Sequence, residues 1–174
     1  MTMAARWIRL EPNGNASLRA ALAGFARAQA ARAAPAVIWA RNDEDCFAFA
    51  LVAPLRLAPG RTCRWRLWAL APSIATYRQF GERAYLDGGE LWLGGRRIAE
   101  SEVSPIGDCA VISSSFLARL PRAHAGWTER NVEGAFRGRI EAQHGWEFEN
   151  SWPSMTERDS IADALAAEVA DAQG

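Results

Sequence analysis

All 20 basic residues of this 174-residue chain are arginine, and lysine is absent. Schiff-base chemistry is therefore unavailable, and the planar, permanently charged guanidinium is the cation left to hold a carboxylate or a phosphate. Arg96 and Arg97, just after Gly94-Gly95, are the pair best placed for that work, because one guanidinium can give two parallel hydrogen bonds to an acid. Their plain alternative is a solvent-facing pair beside a hairpin. Trp92, three residues upstream of Gly95, either contacts a ring or acyl group or packs as an ordinary strand tryptophan.

Other reactive types are sparsely placed. Cys46, Cys63 and Cys109 are too scattered for a CxxC metal site, and His124 and His144 lie far from them, so reduced structural cysteines are expected. Ser113-Ser114-Ser115 lacks the GxSxG turn that exposes a nucleophilic serine, and reads as strand polarity. Asn42-Asp43-Glu44-Asp45 lacks the alternating oxygen ligands of an EF-hand and reads as a turn.

The elements that must position these residues follow from periodicity. A short strand is expected over Arg6 to Leu10, then a turn over Glu11 to Asn15. Asn15 is placed to cap a helix with a Leu18, Leu22 and Phe25 stripe, leaving Arg19 and Arg27 to solvent. Strands are predicted at Ala36 to Ala40 and Phe47 to Val52. A helix is predicted over Leu67 to Phe80 with Leu67, Leu70, Ile74 and Tyr77 on one side, its early part delayed or bent by Pro72. A glycine-containing connection, Gly81 to Gly89, leads to the strand Leu91-Trp92-Leu93, a Gly94-Gly95 hairpin turn and a returning strand Arg96 to Ala99. Ala110 to Leu117 reads as a further strand. Thr128 caps a helix aligned by Val132, Phe136 and Ile140. A last helix begins near Thr156, with Thr156 and Asp159 at capping-box spacing and Ile161, Leu165 and Val169 on one face.

Length and composition bound the rest. A 19.1 kDa chain that is 49% hydrophobic can bury one core, so a single domain over residues 1–174 is expected. Formal net charge is zero and the pI near 6.7, which gives no overall pull toward nucleic acid, although an arginine-rich nucleic-acid-binding module stays open as an alternative. The odd cysteine count suits a reducing cytoplasm, and neither a signal sequence nor an 18-residue apolar span is seen, so secretion and membrane insertion are not expected.

One stretch carries a specific resemblance. A helix over Leu67 to Phe80, a glycine-containing crossover, Leu91-Trp92-Leu93-Gly94-Gly95-Arg96-Arg97-Ile98-Ala99-Glu100 and a strand over Ala110 to Leu117 follow one another. This order, over roughly Arg66 to Leu117, resembles the catalytic-domain superfamily of biotin and lipoate protein ligases, where a Gly-Arg-Lys-like turn and an Ala-Gly segment precede a sheet strand beneath the ligand. The resemblance implies an α+β fold, a mixed sheet flanked by helices, with a cleft for biotin, lipoate or a fatty acyl group. It also implies ATP and Mg²⁺ for formation of an acyl-adenylate, and a carrier protein whose lysine receives the acyl group. Arg97 takes the place of the family's functional lysine, and Glu90 that of the terminal acid of its Trp-Pro-Asn-Asp-like segment, as the implied catalytic residues. Trp92, Gly95, Arg96, Ala99 and Glu100 are the implied substrate-binding residues. The sequence departs from the pattern where Leu86-Asp87-Gly88-Gly89-Glu90 replaces the lysine-bearing segment, where Glu100 replaces a glycine, and near Arg41 to Ala48, which has no match to the family's arginine and glycine-rich loop. Those departures leave a noncatalytic small-molecule-binding or protein-interaction domain as the alternative reading.

Overall fold

The computed structural model describes residues 2–10, 18–29, 34–41, 46–117, 119–120 and 124–171. The expected turn at Glu11 to Asn15, the Asn15 cap, the Asn42 to Asp45 loop, and the side chains of Leu18 and Arg19 lie outside the described residues.

Helices pack on both faces of a six-stranded mixed sheet. Strand β1 (Met3–Leu10) leads through α1 (Leu18–Gln29) to β2 (Ala36–Arg41), and the two strands pair in parallel as a crossover helix requires. Then β3 (Cys46–Pro54), α2 (Trp65–Gln79), a small sheet of β4 (Ala84–Asp87), β5 (Glu90–Leu93) and β6 (Arg96–Ala99), β7 (Glu102–Ile106), β8 (Cys109–Leu117), α3 (Glu129–His144), β9 (Trp146–Ser151) and α4 (Met155–Asp171) follow. The large sheet runs β7-β8-β3-β2-β1-β9, with β9 parallel to β1 at one edge.

The central strands are apolar on both faces because both faces are covered. Trp7, Trp39, Phe49, Leu51, Ile112 and Phe116 point into one cluster with α2, α3 and the small sheet. Ile8, Ile38, Ala50, Val52 and Val111 point into the other, against Leu22 and Phe25 of α1. Helix α4 lies across α1, where Ser160 Oγ donates to the Gly24 carbonyl at 2.7 Å.

Several sequence expectations change here. Helix α2 begins at Trp65, before Pro72, so the proline sits inside it. Proline displaces the carbonyl four residues back, that of Trp68, and the side-chain amide of Gln143 on α3 donates to that oxygen at 2.8 Å. Leu67 is 60% exposed, because the buried side of α2 is set by Trp65, Ala69, Leu70, Ser73, Thr76 and Tyr77. The Gly81 to Gly89 connection contains the strand β4. Helix α4 is capped two residues earlier than expected: the Ser154 hydroxyl accepts from Glu157 N at 3.3 Å, and Glu157 Oε2 accepts from Ser154 N at 2.7 Å. Val169 is 58% exposed and does not share a buried face with Ile161. Thr128 caps α3 as read, its hydroxyl accepting from Asn131 N at 3.3 Å.

Candidate functional site

The small sheet consists of two hairpins in series, and each turn is made by two glycines at positive φ: Gly88 and Gly89 at 59° and 84°, Gly94 and Gly95 at 57° and 79°. Two consecutive residues in that region give the tight turn whose twist matches paired strands. The turns fix the register, in which Tyr85 faces Trp92 and Trp92 faces Arg97. Because strand side chains alternate, Ala84, Leu91, Leu93 and Ala99 are buried in the core. Tyr85 and Trp92 form a cross-strand row on the other face, and a register shift between Leu91 and Trp92 brings Arg97, two residues before the buried Ala99, opposite Trp92 in that row. The rings of Tyr85 and Trp92 stack at 6.5 Å with 15° between their planes.

The sequence-derived site residues thus divide by face. Arg97 and Trp92 are direct neighbours, and Glu100 is ion-paired with Arg97 at 2.8 Å. Both members of that pair are well exposed, the side chains at 54% and 70%. Glu90 pairs with Asp87 at the first hairpin; its Oε2 and the Trp92 Nε1 are buried atoms without a hydrogen-bond partner among the described residues. Gly95 serves the turn, Arg96 is exposed at the start of β6, and Ala99 points the opposite way into the core. Two contributors escaped sequence reasoning. Tyr85 was hidden because β4 was read as connection, although its place in the alternation Ala84-Tyr85-Leu86 was the available signal. Arg66 of α2 lies over the first turn so closely that a Cβ at Gly89 would sit 2.8 Å from its side chain.

Tyr85 also joins this row to a groove of about 710 Å³ between α2 and β4. Leu67, Ile74 and Leu86 supply apolar walls, and Arg78 and Arg139 stand among its lining residues. Elsewhere the inner face of the large sheet is filled by rings: Phe136 of α3 lies 4.5 Å from Phe49, 4.9 Å from Phe116 and 5.8 Å from Trp39. Burial pushes the Tyr77 phenol far above its ordinary value, and its oxygen accepts from Leu117 N at 2.9 Å, a structural role. His144 is pushed down to about 4 by burial between Trp68 and Trp146. Among the described residues no group of His, Cys, Asp and Glu side chains is arranged to hold a metal ion.

The sequence matches no protein-family model and no curated protein. The three-dimensional comparison is different. A candidate lipoate protein ligase from Thermoplasma acidophilum, solved with bound lipoic acid, superposes with a TM-score of 0.73 over 95% of this chain and 96% of its own, at 10% identity. Lipoate-protein ligase A bound with ATP gives 0.74 over 94% and 95% at 10% identity. The biotin acetyl coenzyme A carboxylase synthetase of Helicobacter pylori, with biotinylated ATP, gives 0.61 over 79% and 75% at 16% identity. This chain has the fold of the lipoate and biotin protein ligase catalytic domains. Likeness at such low identity is a statement about fold, and function has to be argued from the site.

Proposed function

We propose that this chain binds a carboxylate-bearing acyl compound on the outer face of its small sheet and does not activate it. The observation that carries the reading is the register pair Trp92–Arg97, an indole beside a guanidinium, continued through Tyr85 into the α2–β4 groove. An acyl chain laid along that apolar row presents its carboxylate to Arg97. Exposed ion pairs contribute only ~0–1 kcal/mol, so a ligand carboxylate replaces Glu100 as the partner of Arg97 at little cost.

Local charge argues against adenylation. In the row itself Arg97 is ion-paired with Glu100, so one guanidinium serves one monocarboxylate, while Arg78 and Arg139 stand beyond Tyr85 in the groove. Acyl-adenylate chemistry instead needs a surplus of positive charge where negative charge develops on phosphate. Arg97 also stands where the family resemblance places a lysine, and its flat fork does not reproduce ammonium geometry. A second reading, activation with ATP and Mg²⁺ for transfer to a carrier lysine, draws on the unpaired Glu90 Oε2 and Trp92 Nε1, which could orient a reacting group.

Calorimetry of the whole chain against biotin, lipoate and octanoate, each with and without MgATP, separates these readings. The expected result is saturable heat with at least one acid, unchanged by MgATP and about tenfold weaker in Arg97→Ala, the loss of one charge-assisted contact. Binding strengthened by MgATP would favour activation. No heat with any of the three would sink both.

A further inference from the structure

At the opposite edge of the large sheet, a cleft of about 560 Å³ opens between α3 and the carboxyl ends of the parallel strands β1 and β9. That volume lies within the range of small-molecule sites, and the carboxyl ends of parallel strands are where open α/β sheets commonly bind ligands. We propose that this cleft is a second ligand site, for a flat heteroaromatic ring bearing a carboxylate or phosphate.

Its wall is held rigid by a buried acid. Glu133, 6% exposed, accepts from Trp7 Nε1 at 2.6 Å and from Arg9 Nε at 2.9 Å, with a further contact from Arg9 Nη2. Its negative charge is thus committed to the wall. Arg137 is fixed in turn: its Nη1 donates to Asn150 Oδ1 at 2.7 Å, its Nη2 to the Phe148 carbonyl and its Nε to Glu141 at 3.3 Å, with the guanidinium 5.7 Å above the Trp7 ring. Arg130, two turns earlier on α3, lines the same cleft and has no ion pair among the described residues. Arg9 and Arg137 are each paired with a glutamate, Glu133 and Glu141, so Arg130 is the cation left for an incoming anion.

A ring platform and an opening complete the site. Trp152 lines the cleft yet is 81% exposed, and its backbone is anchored because its carbonyl accepts from Arg6 Nη2 at 2.9 Å. An exposed indole on an anchored backbone offers a face for stacking a flat ring. Gly134 leaves the helix side of the cleft open, and a Cβ built there meets no atom within 4 Å.

The test is calorimetry at low salt on the whole chain, with AMP, nicotinate, adenosine and inorganic phosphate as probes. Saturable binding of AMP or nicotinate is expected, and which of the two binds distinguishes phosphate from carboxylate. Arg130→Ala should weaken it about tenfold or more, as loss of a charge-assisted contact does. Gly134→Leu should abolish it while the thermal midpoint stays at or above that of the parent chain, and Arg97→Ala should leave it untouched. The assignment is overturned if neither AMP nor nicotinate binds, or if binding survives both Arg130→Ala and Gly134→Leu. It is also overturned if adenosine or inorganic phosphate alone binds as tightly as the ring-bearing anions.

Discussion

Glu133 shows how a single buried carboxylate organises its neighbourhood. It satisfies an indole N–H from the core and a guanidinium from the rim at once, so its removal strands two donors. Glu133→Gln keeps one acceptor for Trp7 and gives up the charge facing Arg9, and should cost about 1–3 kcal/mol in urea unfolding. His144 gives a pH signature. Its folded value of about 4 lies below the ordinary 6.5, so the unfolded chain takes up a proton first as pH falls. Its contribution is complete above pH ~6.5 and is lost progressively toward pH ~4, because stability rises with pH wherever the unfolded state binds more protons. The thermal midpoint of the parent chain should therefore fall more steeply over that window than that of His144→Phe, which keeps a ring between Trp68 and Trp146. Equal slopes would show that His144 ionises freely in the fold.

Between elements, the tightest requirement is where α1 crosses α4. A Cβ on Gly24 would stand 2.3 Å from the Ser160 carbonyl oxygen and 2.7 Å from Ile161 Cα, both backbone atoms that cannot rotate away. Gly24→Ala should cost about 1–3 kcal/mol or more, since overpacking must separate the helices, and it should do so despite alanine's higher helix propensity. Gly134→Ala is the opposing control, a helical glycine facing open space, and should stabilise by about 0.5–1 kcal/mol. If both substitutions stabilise, the crossing is looser than the geometry states. The same scale explains what the sequence concealed. Thr156 and Asp159 had the spacing of a capping box, but Ser154 and Glu157 form it, because Glu157 also receives Arg6 of β1 at 2.6 Å. That long-range partner is invisible to local spacing. Leu67 was legible as a helical residue and not as an exposed one, since the side that α2 buries is decided by where α3 and β4 lie.

Across the whole molecule, the central strands were legible from the runs Ala36 to Ala40, Phe47 to Val52 and Ala110 to Leu117, while the mixed sheet flanked by helices was what the family resemblance implied. The edges were not legible: β7 carries Pro105 in a half-exposed run, and β9 alternates Trp146 and Phe148 with Glu147 and Glu149. An edge strand needs only one apolar side and one paired side, so its sequence signal is weaker. Of the candidate site, the Gly94-Gly95 turn and the Trp92 and Arg97 positions were readable, whereas Tyr85 and the Arg130 cleft depend on distant strands meeting. The expectation of one domain has a direct test in Phe136. This side chain of α3 contacts rings from β1, β2, β3 and β8, with centroids 4.5–6.3 Å away, and so ties the helix layer to four strands at once. Phe136→Ala should cost about 3–5 kcal/mol, the range for deleting a large buried ring. If the chain is one cooperative unit, tryptophan fluorescence and far-ultraviolet circular dichroism should shift together to a single lower urea midpoint, because coincident probes are the mark of two-state unfolding. Two separated transitions would instead show that the small sheet, which carries Trp92, melts apart from the large one.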